Sequence, residues 1–113
     1  MIVGEIRWVD LPPRGGHAQS GRRPAIVVQS ERSATRIPTV LVVPLTSSLD
    51  ALRFPGTVLV ESDSQNGLRR SSVALVFQLT AIDRRLLTNR LGHVSSKVLD
   101  EIWSALDELT GRK

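Results

Sequence analysis

The chain has 113 residues, no cysteine and a formal net charge of +4, with 15 basic against 11 acidic residues. That length fits one domain, residues 1–113, able to bury its own core. The lack of cysteine excludes disulfides and cysteine-ligated metals. The stretch Met1-Ile2-Val3-Gly4-Glu5 has neither the basic start nor the apolar run of a signal peptide. No apolar stretch is long enough to cross a bilayer, so a cytoplasmic setting with no membrane contact is expected.

Thirteen of the basic residues are arginine. A guanidinium fork fits phosphate better than an ammonium, although GC-rich coding would give the same excess. Position helps to decide. Residues 1–90 hold 12 basic and 7 acidic residues, whereas residues 91–113 hold 3 and 4. The positive charge therefore belongs to the strand-and-loop part. Aromatic residues make up only 4% and tyrosine is absent, which argues against a base-stacking platform of the usual single-strand type.

In chain order, Gly4–Leu11 alternates well enough for a half-buried strand, closed by Pro12-Pro13. Residues 12–23 form a polar loop, longer than most connections in a compact domain, and such length hints at function. Its end, Gly15-Gly16-His17-Ala18-Gln19-Ser20-Gly21-Arg22-Arg23-Pro24, has no large hydrophobe. It delivers two arginines to the start of a strand over Pro24–Gln29. A donor-rich loop anchored on a rigid strand suits an anion, above all a phosphate.

Ser30–Arg36 reads as a charged turn. Strands follow over Thr39–Val43, Thr57–Val60 and Ser72–Leu79, with Pro44–Ser48 as a loop and Asp63–Gly67 as turn chemistry. Residues 83–87 suit a short helical turn. Ser95 or Ser96 caps the one long helix, and Gly111 stops it. Val98, Ile102, Ala105, Leu106 and Leu109 share its apolar face, which Leu99 and Trp103 widen. Short strands at regular spacing before a terminal helix predict a mainly β fold, a strongly bent antiparallel sheet or open barrel.

Taken together these blocks resemble a known family. Gly4-Glu5-Ile6, Trp8-Val9-Asp10, Gly16-His17-Ala18-Gln19 and Gly21-Arg22-Arg23-Pro24 are similar to the opening of the MazF/PemK/Kid toxins. Val42-Val43-Pro44-Leu45-Thr46-Ser47 resembles the family's strand that ends in Thr or Ser. Ser72-Val73-Ala74-Leu75, Gln78 and Ala81-Ile82-Asp83 resemble its later strand and turn. The likeness implies an SH3-like barrel with a C-terminal helix, working as a homodimer. It also implies a type II toxin that cuts single-stranded RNA without a metal or other cofactor. The implied antitoxin lays a flexible tail across the RNA groove.

In the family, the Arg before the Pro and the strand-end Thr or Ser form the catalytic pair, here Arg23 and Thr46. His17, Gln19, Arg22 and Ser47 are the implied RNA contacts. Cleavage without a metal can use the substrate's 2′-hydroxyl, leaving 2′,3′-cyclic phosphate and 5′-hydroxyl ends. Arg23 suits charge stabilisation on the phosphorane but is too basic to accept a proton at neutral pH. Thr46 can donate to a phosphate oxygen and is a poor nucleophile unaided. His17 is the candidate proton acceptor by its pKa.

Gln78 reads as a structural partner for backbone, Arg69-Arg70 and Arg84-Arg85 as solvated pairs with phosphate contact as the lesser alternative, and Trp8 and Trp103 as core or interface. The chain also departs from the resemblance. Many relatives carry an acid where it has Ala18 or Phe77, and a basic residue where it has Thr80. Leu75 and Phe77 occupy the places of the Arg–Asp pair of the Kid branch, so the Arg23–Thr46 version is favoured. Two alternatives stay open: a non-catalytic toxin of the same fold acting by protein binding, of the gyrase-poison type, or a catalytically weak RNA-binding barrel.

Overall fold

The computed structural model describes residues 2–13, 16 and 21–113. Among these residues there are seven strands: β1 (Glu5–Leu11), β2 (Gly21–Val27), β3 (Thr39–Thr46), β4 (Thr57–Val60), β5 (Ser72–Leu75), β6 (Thr80–Asp83) and β7 (Leu87–His93). Two α-helices, α1 (Glu31–Ala34) and α2 (Ser96–Thr110), join them. The strands run antiparallel in the order β4-β5-β3-β2-β1-β7, with β6 also on β3. The outermost strands, β4 and β7, do not pair with each other, so the bent sheet stays open.

β3 organises the sheet, as its apolar run predicts. One edge pairs Val42–Pro44 with β2. The other edge pairs Thr39–Val42 with β6 and then Leu45–Thr46 with β5. Thr46 thus ends a longer strand than expected. The single strand expected over Ser72–Leu79 is two strands with a 3-10 turn, Val76–Gln78, between them. That corner lets the chain leave one part of the β3 edge and rejoin it further along. It is held by Phe77 N–H donating to Gly56 O at 3.1 Å and by Leu79 N–H donating to Val76 O at 3.0 Å.

Two aliphatic clusters hold the strands together. Ile6, Ile26, Val43, Leu45, Val58, Val60, Ala74 and Val76 pack with Ile102 and Ala105 of α2. Val9, Leu11, Ala25, Val27, Val40, Val42 and Ile82 form the second. Alternate residues of β2 feed the two, Ile26 into one and Ala25 and Val27 into the other, as a period of two dictates. The helix caps are as expected: Ser95 accepts from Val98 N–H at 3.2 Å, and Gly111 closes the end in a left-handed conformation. Trp103, expected on the apolar face, is exposed.

β7 has no counterpart in the sequence reading, because Thr88, Asn89 and Arg90 are exposed and break the apolar alternation. Side chains stitch it to β1 across two register shifts. Glu5, almost wholly buried, bonds Arg7 at 2.5 Å and Arg90 at 3.1 Å. Arg7 donates to Thr88 O at 2.9 Å, and the Thr88 hydroxyl donates to Trp8 O at 3.1 Å. Burial works to raise the pKa of Glu5. The hydrogen bond and charge of Arg7, helped by Arg90, outweigh it and hold the carboxyl below its ordinary value.

Candidate nucleic-acid interface

A groove of about 540 Å³ opens where β1, β2, the end of β3, β7 and the loop before β5 meet. One wall comes from β2. Arg22 and Arg23 lie within this strand, not in the loop before it, because pairing with β1 continues through Arg23↔Val9 and Arg22↔Asp10 to Gly21↔Leu11. The polar side chains hid those pairs from a reading based on apolar alternation. Trp8, opposite Pro24, lines the same wall. The Arg22 guanidinium lies 4.9 Å from the centre of its ring, a stacking contact that orients the cation without neutralising it.

Thr46 and Ser47 supply the floor beside Leu45. Thr46 Oγ1 accepts a hydrogen bond from Ser48 N–H at 3.2 Å, a local turn that fixes the rotamer. The hydroxyl hydrogen is thereby kept for an acceptor such as a phosphate oxygen.

The facing wall comes from a pair that the sequence reading assigned to phosphate only as a lesser alternative. Arg69 and Arg70, read as a solvated pair, line the groove together with Leu68. Neither forms an ion pair with a described residue. Their loop is pinned rather than loose. Asn66 is buried and bonds three backbone groups: Glu61 O at 2.8 Å, Asp63 N–H at 3.2 Å and Leu68 N–H at 3.0 Å. Asp63 Oδ1 accepts from Gln65 and Asn66 N–H. Gly67 and Gly92 then let loop and β7 pass in contact. A Cβ on Gly67 would fall 2.2 Å from Leu91 O, and one on Gly92 would fall 2.2 Å from Gln65 O. The Asp-Asn-Gly signal for a turn was visible in the sequence; the wall it positions was not.

Four arginines therefore line one groove, and no carboxylate or imidazole stands among its described lining residues. That balance favours an anion strongly. A second hollow of about 460 Å³ adjoins it through Thr46 and is lined by Asp50, Arg53, Phe54, Phe77 and Gln78, among others. Gln78, read as a backbone partner, thus also faces a cavity.

Of the residues singled out by sequence, Arg22, Arg23, Thr46 and Ser47 are brought together in the groove. His17 and Gln19, with Ala18, lie outside the described residues. The second arginine pair divides. Arg85 is exposed and bonds Asp83, whose carboxyl is drawn down to about 2 mainly by hydrogen bonds from the Arg85 side chain and backbone. Arg84 is only partly exposed and donates to Ile37 O, so it is not simply solvated. Leu75 is buried. Among the described residues no three His, Cys, Asp or Glu side chains gather as metal ligands would, and no helix is long and apolar enough to cross a membrane.

Residues 2–110 match the family described as PemK-like, MazF-like toxin of type II toxin–antitoxin system. The chain belongs to this family. It is 32% identical over 108 residues to endoribonuclease EndoA of Bacillus subtilis, covering 94% of this chain and 92% of that protein. It is 31% identical over 107 residues to endoribonuclease MazF of Staphylococcus saprophyticus, covering 95% and 88%. Its fold is similar to the crystal structure of MazF (Form-I) from Deinococcus radiodurans, with a TM-score of 0.84, 27% identity and coverage of 98% and 96%. A MazE–MazF structure (Form-II) from the same organism matches with a TM-score of 0.76 at 25% identity, covering 100% and 97%.

Proposed function

We propose that this chain is a sequence-specific endoribonuclease toxin that cuts single-stranded RNA, mRNA above all, in the groove between Arg23 and Arg69. Residues 1–113 act as one toxin domain, as a homodimer in the cytoplasm, restrained by an antitoxin whose tail covers the groove. The observation that carries this reading is the groove itself: four arginines and the Thr46 hydroxyl face one space with no described carboxylate. Such a wall suits the developing charge of a phosphorane. A protein that only bound another protein would not need it.

The reaction needs no atom from the enzyme in the product. The substrate's 2′-oxygen attacks the adjacent phosphorus, and the bond to the 5′-oxygen breaks. Arg23 offers bidentate donors to the non-bridging oxygens, and Thr46 adds one donor. The proton of the 2′-hydroxyl passes to an acceptor, for which His17 is the choice by ordinary pKa, and the departing 5′-oxygen takes one up. The products are a 2′,3′-cyclic phosphate and a 5′-hydroxyl. Arg22, Ser47, His17 and Gln19 hold the neighbouring nucleotides.

Purified protein is incubated with a long single-stranded RNA in EDTA. Defined fragments with 5′-hydroxyl ends, formed far more slowly by Arg23→Ala, support the reading. Intact RNA across many substrates, with growth arrest persisting in cells, overturns it in favour of a binding toxin. Full activity in a folded Thr46→Ala variant removes that residue from the site.

A further inference from the structure

The chain has only two Phe and two Trp and no Tyr, and not one of them is in the buried core. An aliphatic core makes the placement of the aromatic residues informative. Trp8 lines the arginine groove, and Phe54 and Phe77 line the hollow that adjoins it at Thr46. Both phenylalanines are far from buried, at 43% and 41% exposure.

Their geometry is fixed from several sides. The ring centres are 5.7 Å apart and tilted by 57°. Arg53 lies 4.8 Å over the Phe54 ring, so Phe54 contacts both a cation and the tilted ring of Phe77. Phe54 N–H donates to Ala51 O at 3.1 Å, and its carbonyl accepts from the Thr57 hydroxyl at 2.9 Å. Phe77 is tied to Gly56 O at 3.1 Å. The backbone at both rings is thus anchored, and the rings, exposed and in contact with each other, are partly preorganised for a flat partner.

We propose that this hollow is a base-stacking subsite that sets the sequence preference of the nuclease. Its occupant is an unpaired purine of the RNA, one step from the phosphate at Thr46. The proposal rests on the endoribonuclease reading and deepens it. Thr46 lines both spaces, which puts the hollow within reach of the strand that the groove holds. Its lining chemistry suits a base better than a phosphate: Asp50 can accept from an exocyclic amine, the rings are apolar, and the one cation, Arg53, already lies over Phe54. Aromatic stacking alone tolerates any base, and modest preferences follow stacking strength; the two-ring purine offers the larger face to overlap a phenyl ring.

The test uses the full chain and a randomised single-stranded RNA pool whose cut ends are sequenced. Unaltered protein shows a purine preference at one position beside the cut. Phe77→Ala lowers kcat/KM on that RNA about ten-fold, within the range for one stacked base, and tolerates an abasic nucleotide there. Phe77→Trp restores the preference. Binding is read separately with 2-aminopurine walked along an uncleavable 2′-deoxy analogue. Its fluorescence is quenched at the same position by the unaltered protein and not by Phe77→Ala. Unchanged preference in a folded Phe54→Ala, Phe77→Ala double variant overturns the proposal. So does a double variant that only loses its dimer in sedimentation, which makes the face a contact between copies. If the unaltered protein cuts no RNA, the nuclease reading fails; positional quenching then still upholds the subsite, and its absence removes it.

Discussion

On one side of Thr46 the walls carry four guanidinium groups and no described carboxylate; on the other they carry two phenyl rings, one arginine and one aspartate. The volumes are similar, about 540 and 460 Å³. The difference in chemistry mirrors the two parts of a nucleic acid. A charged backbone is the same at every step, and contacts to it position the strand; the bases vary, and contacts to them specify it. Thr46, the last residue of the central strand, lines both spaces.

The largest break in this comparison is expected from Arg23→Ala. Losing the charge stabiliser lowers kcat by about 10²–10³-fold, the loss typical for one preorganised oxyanion donor, while residual cleavage keeps its sequence preference. Single-turnover cleavage with sequencing of the ends checks both parts. Gly67→Ala comes next. Its φ of +68° and the Leu91 carbonyl in the way predict about 2–4 kcal/mol of destabilisation, as for strained and overpacked sites. Thermal unfolding measures the loss. A displaced arginine wall raises KM and leaves the phenyl hollow untouched.

Arg69→Ala with Arg70→Ala is milder. Affinity for any single-stranded RNA falls, and the slope of log K against log salt drops by about 0.7 for each phosphate contact removed. A titration at several salt concentrations reads this. A change confined to one RNA sequence would place these residues with base readout instead.

Glu5→Gln is the smallest and touches neither hollow. With its folded pKa held below the ordinary 4.5, Glu5 contributes stability that is full above that value and is lost as pH falls through the lower, folded one. The variant therefore loses stability at neutral pH and shows a flatter acid limb. Urea unfolding followed from about pH 6 to about pH 3 checks this, and activity at neutral pH stays as before.

Elements built on apolar periodicity were legible from the chain: β1, β3, β4 and α2 with its caps. So was the basic character of the first ninety residues. What escaped was built from polar residues that only tertiary contacts place. β7 is held by Glu5 and by Thr88, not by alternation. The first residues of β2 are Gly21, Arg22 and Arg23, which look like loop. Half of the arginine groove comes from Arg69 and Arg70, distant in sequence from Arg23 and joined to it by the packing of the loop on β7. The phenyl hollow was hidden by a count. A low aromatic total says nothing of where the rings lie, and here Phe54 and Phe77 lie together on one hollow.

The crossing of the loop over β7 at Gly67 and Gly92 separates what can change from what cannot. The anchors are two glycines without room for a Cβ and one asparagine bonded to three backbone groups. Arg69 and Arg70, next to them, project into open space. A lineage under pressure from a new antitoxin or a new target RNA is therefore free to rewrite the exposed pair one codon at a time, while the frame beneath keeps its shape. Divergence among descendants of this chain should collect at 69 and 70 and spare 66, 67 and 92.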